Sequence, residues 1–143
     1  MTNGFEGSQG TRGRVAGQVA AAGAVALVAA LAWAGWLGWD GERDVHPDGS
    51  VSGPYEVWQV LGLVLTLLVP VCGAVFRRYA IAAVFGTAVG LASAAAYDWS
   101  DDASGLYMLG AGLVLYGSLA VTGVLAAVLA ALMRRGGAGH PAR

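Results

Sequence analysis

Lysine is absent from this chain, and all eight basic residues are arginine. Charge of either sign is scarce: 12% of 143 residues are charged and 57% are hydrophobic, where a soluble domain carries roughly 25% charged residues. A soluble fold this small has no interior large enough for so much apolar surface, so the solvent this composition implies is lipid. A formal net charge of -1 removes any bulk attraction to nucleic acid. The single cysteine, Cys72, excludes an internal disulfide and a CxxC redox pair. His46 and His140 stand in separate polar segments, so no Cys/His zinc set can be assembled. No nucleophile–base pair or phosphate-cradling loop is recognisable either. The chain reads as a non-enzyme without a cofactor.

What is there is four apolar runs: 15–39, 57–76, 79–97 and 106–133. Each is about the length needed to cross the hydrocarbon, roughly 20 residues, and none contains Asp, Glu, Lys, Arg or His. A backbone in lipid must satisfy its own hydrogen bonds, so each run is expected to be a helix. The fold class is therefore an all-α membrane protein, a four-transmembrane-helix bundle. Residues 1–14 and 134–143, rich in glycine, are expected to be disordered tails.

Arginine sets the expected orientation. Arg12, Arg14, Arg77, Arg78, Arg134, Arg135 and Arg143 fall on one side of the spans and only Arg43 on the other. Both termini are thus expected in the cytoplasm of a plasma-membrane protein. The aromatic residues agree: Trp33, Trp36, Trp39, Trp58 and Trp99 lie near the opposite ends of the spans, as an outer belt at headgroup level would. The first span also resembles a secretory signal, with an Ala32-Trp33-Ala34 triplet. Its apolar stretch exceeds the usual 7–15 residue signal core, so an uncleaved span is preferred.

Small residues recur at helical spacing. Ala82, Gly86, Gly90 and Ala94 form a ridge along the third span, including the GxxxG sequence "GTAVG". Such a ridge serves close helix packing inside one bundle, or homodimerisation. Pro70 removes a backbone bond within the second span and is expected to kink it. Thr66, Thr87, Ser118 and Thr122 are among the few polar residues inside the bundle, with Gln18 and Gln59 placed to reach headgroups or neighbouring carbonyls. An intramembrane ionisable residue, the usual mark of an ion or proton pathway, is missing from all four runs.

The segment "DGERDVHPDGSVSGPYEVWQ" separates the first two spans. Its "HPDG" carries turn chemistry, with Pro47 fixing φ, Asp48 bonding its own backbone and Gly49 free to leave the turn. A small outer β-hairpin or loop is the expected result. A calcium loop is the sharper alternative, since Asp44, His46, Asp48 and Gly49 occupy the first, third, fifth and sixth places of an EF-hand frame. Histidine is a poor ligand there, Pro47 follows it, and Tyr55 takes the twelfth place with Glu56 one residue late. Asp40, Glu42, Asp44, Asp48, Asp98, Asp101 and Asp102 remain a diffuse outer acidic cluster, to which no metal is assigned. Indole faces beside these carboxylates offer a further alternative, a seat for a cationic or sugar-like ligand.

"GPYEVWQV", following "PDG", resembles a pattern in small uncharacterised integral membrane proteins of actinobacteria. The likeness spans about twenty residues and implies no activity. Small multidrug transporters, fluoride channels and quinone-linked disulfide enzymes each need residues this chain lacks: a glutamate in the first span, a buried asparagine, or cysteine pairs. The functional expectation is an accessory or scaffold subunit in the lipid bilayer, with a membrane-protein partner or a homo-oligomer and no nucleic acid. The alternative is an oligomeric transporter or channel subunit with an acidic outer vestibule.

Overall fold

The structure is a computed structural model that describes residues 3–39, 45, 47–49 and 55–137, with side chains from Gly10 onward. Four helices account for nearly all of it: α1 (Asn3–Trp36), α2 (Val57–Phe76), α3 (Ala80–Asp98) and α4 (Tyr107–Gly137). Each contains a stretch long and apolar enough to cross a membrane, which in α1 runs Gly10–Trp36. Successive helices alternate in direction. One end of the bundle therefore gathers Arg77, Arg78, Arg134 and Arg135, and the other gathers the tryptophans.

The second helix spans the residues its composition implied, and the third begins one residue later than expected, at Ala80. The outer two overrun. Residues 3–14 continue α1 as helix, and α4 continues to Gly137, where both segments were expected to be disordered. Extending a formed helix needs no new nucleus, so a span propagates beyond its apolar run even through poor helix formers. Most of the expected outer hairpin, 40–44, 46 and 50–54, lies outside the described residues, of which Val45 alone is in a β-bridge. The turn at Pro47 and Asp48 is present, and Gly49 leaves it with φ 83°, a conformation that costs glycine nothing.

α3 is the hub. It packs most extensively against α1 and α4, while the backbones of α1 and α4 do not approach closely among the described residues. Its buried residues, from Ala82 to Ala95, cover most of the helix, as expected of an element enclosed on several sides, and leave one exposed line through Ile81, Phe85, Val89 and Tyr97. α2 instead buries one line, Gln59, Leu63, Leu67, Val71 and Val75, one residue per turn. The remaining faces are apolar and exposed, from Leu27 and Leu31 on α1 to Val69 on α2 and Leu113 on α4. An exterior of that kind is stable only in lipid.

The α1–α3 contact is made backbone to backbone. A Cβ on Gly86 would lie 2.6 Å from the Ala22 carbonyl oxygen, and one on Gly90 would lie 2.9 Å from Ala26 Cα. Ala82 completes the buried ridge and Ala94 is half-buried above it. The ridge Ala82, Gly86, Gly90 and Ala94 thus serves packing within one bundle, and α1 covers its centre.

α2 and α3 are joined by a tight link. Arg78 N–H donates to Val75 O at 2.9 Å and Tyr79 N–H to Ala74 O at 2.8 Å, the paired bonds of a Schellman C-cap. Arg78 occupies the position usual for glycine and has φ 65°. A side chain in this left-handed region costs about 1–2 kcal/mol.

Candidate functional site

At the tryptophan end three helices converge on one carboxylate. Tyr55, just ahead of α2, donates its hydroxyl to Asp98 Oδ2 at 2.6 Å. The Trp33 indole of α1 donates to the same oxygen at 3.3 Å. Trp99 Nε1 donates in turn to the Tyr55 hydroxyl at 2.8 Å. The rings pack as they bond: Trp33 meets Tyr55 edge-on at 5.9 Å and Trp99 at 5.7 Å. Each such pair contributes about 0.5–1.5 kcal/mol beyond its area. Trp99 closes the group by lying over Gly110 of α4, where a Cβ would come within 2.8 Å of the ring.

A second aromatic group lies on α1 and α2. Trp36 covers Gly62, whose Cβ would be 2.5 Å from the ring, and donates to Thr66 Oγ1 at 3.0 Å. Trp58 stands edge-on to Trp36 at 6.2 Å and donates to the Glu56 carboxylate, with Trp39 beside it at 6.5 Å. The tryptophans therefore divide by environment. Trp39 and Trp58 are exposed, as residues at a membrane interface would be. Trp33 is 6% exposed and belongs to the core with Ala29, Leu37, Leu63 and Leu67. Trp36 and Trp99 are half-buried.

The outer acids are not brought together by the described structure. Asp40, Glu42 and Asp44 lie outside the described residues. Asp48 and Asp101 are exposed on different loops, and Asp102 accepts the backbone N–H and hydroxyl of Ser104 at 3.0 and 2.6 Å. Among the described outer acids, Asp98 alone is drawn into the bundle. Among the described residues no three acidic, histidine or cysteine side chains converge as a metal site would require. Gln59, expected to reach headgroups or neighbouring carbonyls, is fully buried and accepts the Glu56 backbone N–H at 2.6 Å. It completes the first turn of α2 instead of reaching outward.

The other distinctive region is the seam where α2 and α4 meet over α3. A cavity of about 230 Å³ opens there, lined by Leu67 and Val71 of α2, Thr87 of α3 and Gly117, Ser118 and Val121 of α4, among others. Small residues on α4 leave the space. Thr66 Oγ1 donates to Gly62 O at 2.8 Å, and Thr122 Oγ1 donates to Ser118 O. Thr87 is 1% exposed, and its hydroxyl has no partner among the described residues. Of the three, Thr87 and Thr122 line the cavity, and only Thr87 does not bond back to its own helix.

The Asp98 network was not foreseen from sequence, although Trp33 and Asp98 stood out as an interfacial aromatic and an outer acid. A usable signal was Asp98 itself, an acid continuous with the third apolar run rather than set apart in the loop. Thr87 gave no sequence signal beyond polarity. The sharp turn at Arg78 was legible in principle, because two spans joined by so few residues need a left-handed position and none of those residues is glycine.

Four apolar helices with an apolar exterior define a multi-pass membrane protein. Comparison of the chain with protein-family models, with curated proteins and with solved structures finds no match.

Proposed function

We propose that the protein is a non-enzymatic accessory subunit of the plasma membrane, with both termini cytoplasmic, and that a transmembrane helix of its partner lies along the α2–α4 seam. The observation that carries this reading is the open cavity at the seam, walled by Gly117 and Ser118 of α4 and by Thr87 of α3, whose buried hydroxyl has no partner among the described residues. In lipid, helix association relies on close approach at Gly, Ala, Ser and Thr and on hydrogen bonds between helices. Gly117 and Ser118 supply the first. The orientation rests on the arginine distribution. The small-residue ridge of α3 supports an intramolecular role, since α1 already covers Gly86 and Gly90. The vestibule reading gains less, because Asp98 is engaged by Tyr55 and Trp33.

The test is site-specific photo-crosslinking in native membranes, from Val121 in the seam and from the exposed Leu27 on α1 as control. One discrete polypeptide adduct from Val121, absent from Leu27 and lost when Gly117→Leu fills the seam, is the expected result. An adduct to a second copy of the same chain would transfer the reading to a homo-oligomer. Lipid adducts alone, equal from both positions, would refute it.

A further inference from the structure

The arginine end holds a second cleft, of about 460 Å³, between the α2–α3 link and the last turns of α4. Two guanidinium-bearing residues, Arg78 and Arg134, line it, and Val75, Ala80 and Met133 supply apolar wall. The adjacent Arg77 and Arg135 do not line it, and neither does any acidic residue among those described. An arginine in the last turn of a helix offsets the negative end of the helix dipole wherever its side chain points, so Arg134 alone would mean little. That role does not account for Arg78, which keeps a long side chain where the backbone suits glycine.

We propose that this cleft binds the headgroup phosphate of one anionic phospholipid. A phosphodiester presents two oxygens that match the planar fork of a guanidinium, and two such forks from separate elements would hold it from two sides. The cleft lies where α2 ends and α3 begins, the level at which a spanning helix meets headgroups. Its apolar wall then takes the upper part of an acyl chain. Free phosphate would satisfy the arginines but leave that wall without an occupant. The left-handed turn at Arg78 is what turns a helix-ending residue into one side of the cleft. The inference rests on the membrane-spanning reading but not on a protein partner, and the two fail separately: seam crosslinks from Val121 do not depend on Arg78 or Arg134.

The experiment is native mass spectrometry of the full-length protein titrated with dioleoyl phosphatidylglycerol and, in parallel, with dioleoyl phosphatidylcholine. The first phosphatidylglycerol adduct is expected to form in preference to phosphatidylcholine. It should be weakened roughly tenfold in Arg78→Gly and in Arg134→Ala, the loss expected for one charge-assisted contact, and be unchanged in Arg77→Ala and Arg135→Ala. Arg78→Gly relaxes the turn, so a melting temperature at or above that of the parent is expected and separates binding from folding. Equal losses in all four variants would show diffuse attraction between charges and overturn the site, as would parental binding by Arg78→Gly. Inorganic phosphate that displaced the lipid with the same dependence on Arg78 and Arg134 would overturn the lipid as its source.

Discussion

Gly90 of α3 lies directly against the backbone of Ala26 of α1, so that a single added methyl would fall on the Ala26 carbonyl group. One turn earlier, Gly86 stands in the same relation to Ala22. Helices without a hydrophobic drive to associate gain from this proximity through dispersion and weak Cα–H···O contacts. The α1–α3 pair is the most extensive in the bundle, and its geometry depends on two hydrogens in place of side chains.

Gly90→Ala is therefore expected to destabilise the bundle by about 1–3 kcal/mol, the usual cost of overpacking, and Gly86→Ala by a similar amount. Gly73, on α2, faces open space within 4 Å, so Gly73→Ala should be neutral or slightly stabilising. Reversible unfolding in mixed detergent micelles measures all three. Equal effects at Gly73 and Gly90 would show that helix propensity, not close approach, governs these positions.

Two glycines are needed by rings instead of by backbone. Gly62→Ala would press a methyl into Trp36, and Gly110→Ala would press one into Trp99. The first should break the Trp36–Thr66 hydrogen bond and shift indole emission, at a cost of about 1–3 kcal/mol. Gly23 meets nothing within 4 Å, so Gly23→Ala is the matched control and should leave the emission spectrum unchanged.

The carboxylate at the tryptophan end makes a separate claim. Tyr55→Phe removes both the donor to Asp98 and the acceptor for Trp99 Nε1. Its expected cost is about 1–3 kcal/mol, since half-buried partners are left unpaired. Asp98→Asn retains an acceptor oxygen and should lose less than Asp98→Ala. Near-ultraviolet circular dichroism, sensitive to the packed rings of Trp33, Tyr55 and Trp99, should flatten in Tyr55→Phe. A spectrum and stability equal to the parent's would remove the network as a structural element.

How much of this was legible in the sequence follows from what each feature depends on. Helix number and span position depend on apolar run length, which a sequence displays directly. The α3 ridge depends on four-residue spacing of small side chains, equally visible. The division of the tryptophans was not visible, because Trp33, Trp36 and Trp39 follow one another at less than a turn each. Which of them turns inward depends on where α3 lies, and Gly62 and Gly110 acquire meaning only when a ring from another helix lands on them. Asp98 looked like one outer acid among several, since its partner Tyr55 lies 43 residues away across two spans. The helical overruns at 3–14 and 134–137 were missed because composition reports solvent preference, not where a propagating helix stops.

Three threonines on three helices give the sharpest contrast. Thr66→Val removes the acceptor for the Trp36 indole and leaves a ring nitrogen without a partner, so a loss of about 1–2 kcal/mol is expected. Thr122 bonds only to its own helix at Ser118, and Thr122→Val should change stability little. Thr87→Val should act in the opposite sense in the isolated protein. It replaces a buried, unpartnered hydroxyl with a methyl of nearly the same shape, which is expected to stabilise by about 1 kcal/mol. Thr87 also forms part of the seam wall, so its side chain shapes the surface against which a partner helix would pack. The same variant should therefore weaken the Val121 crosslink while raising the melting temperature. Stabilisation without loss of the crosslink would leave Thr87 as an internal defect of the bundle and shift the contact to Gly117 and Ser118. Destabilisation would mean that the hydroxyl already finds a partner within the folded chain.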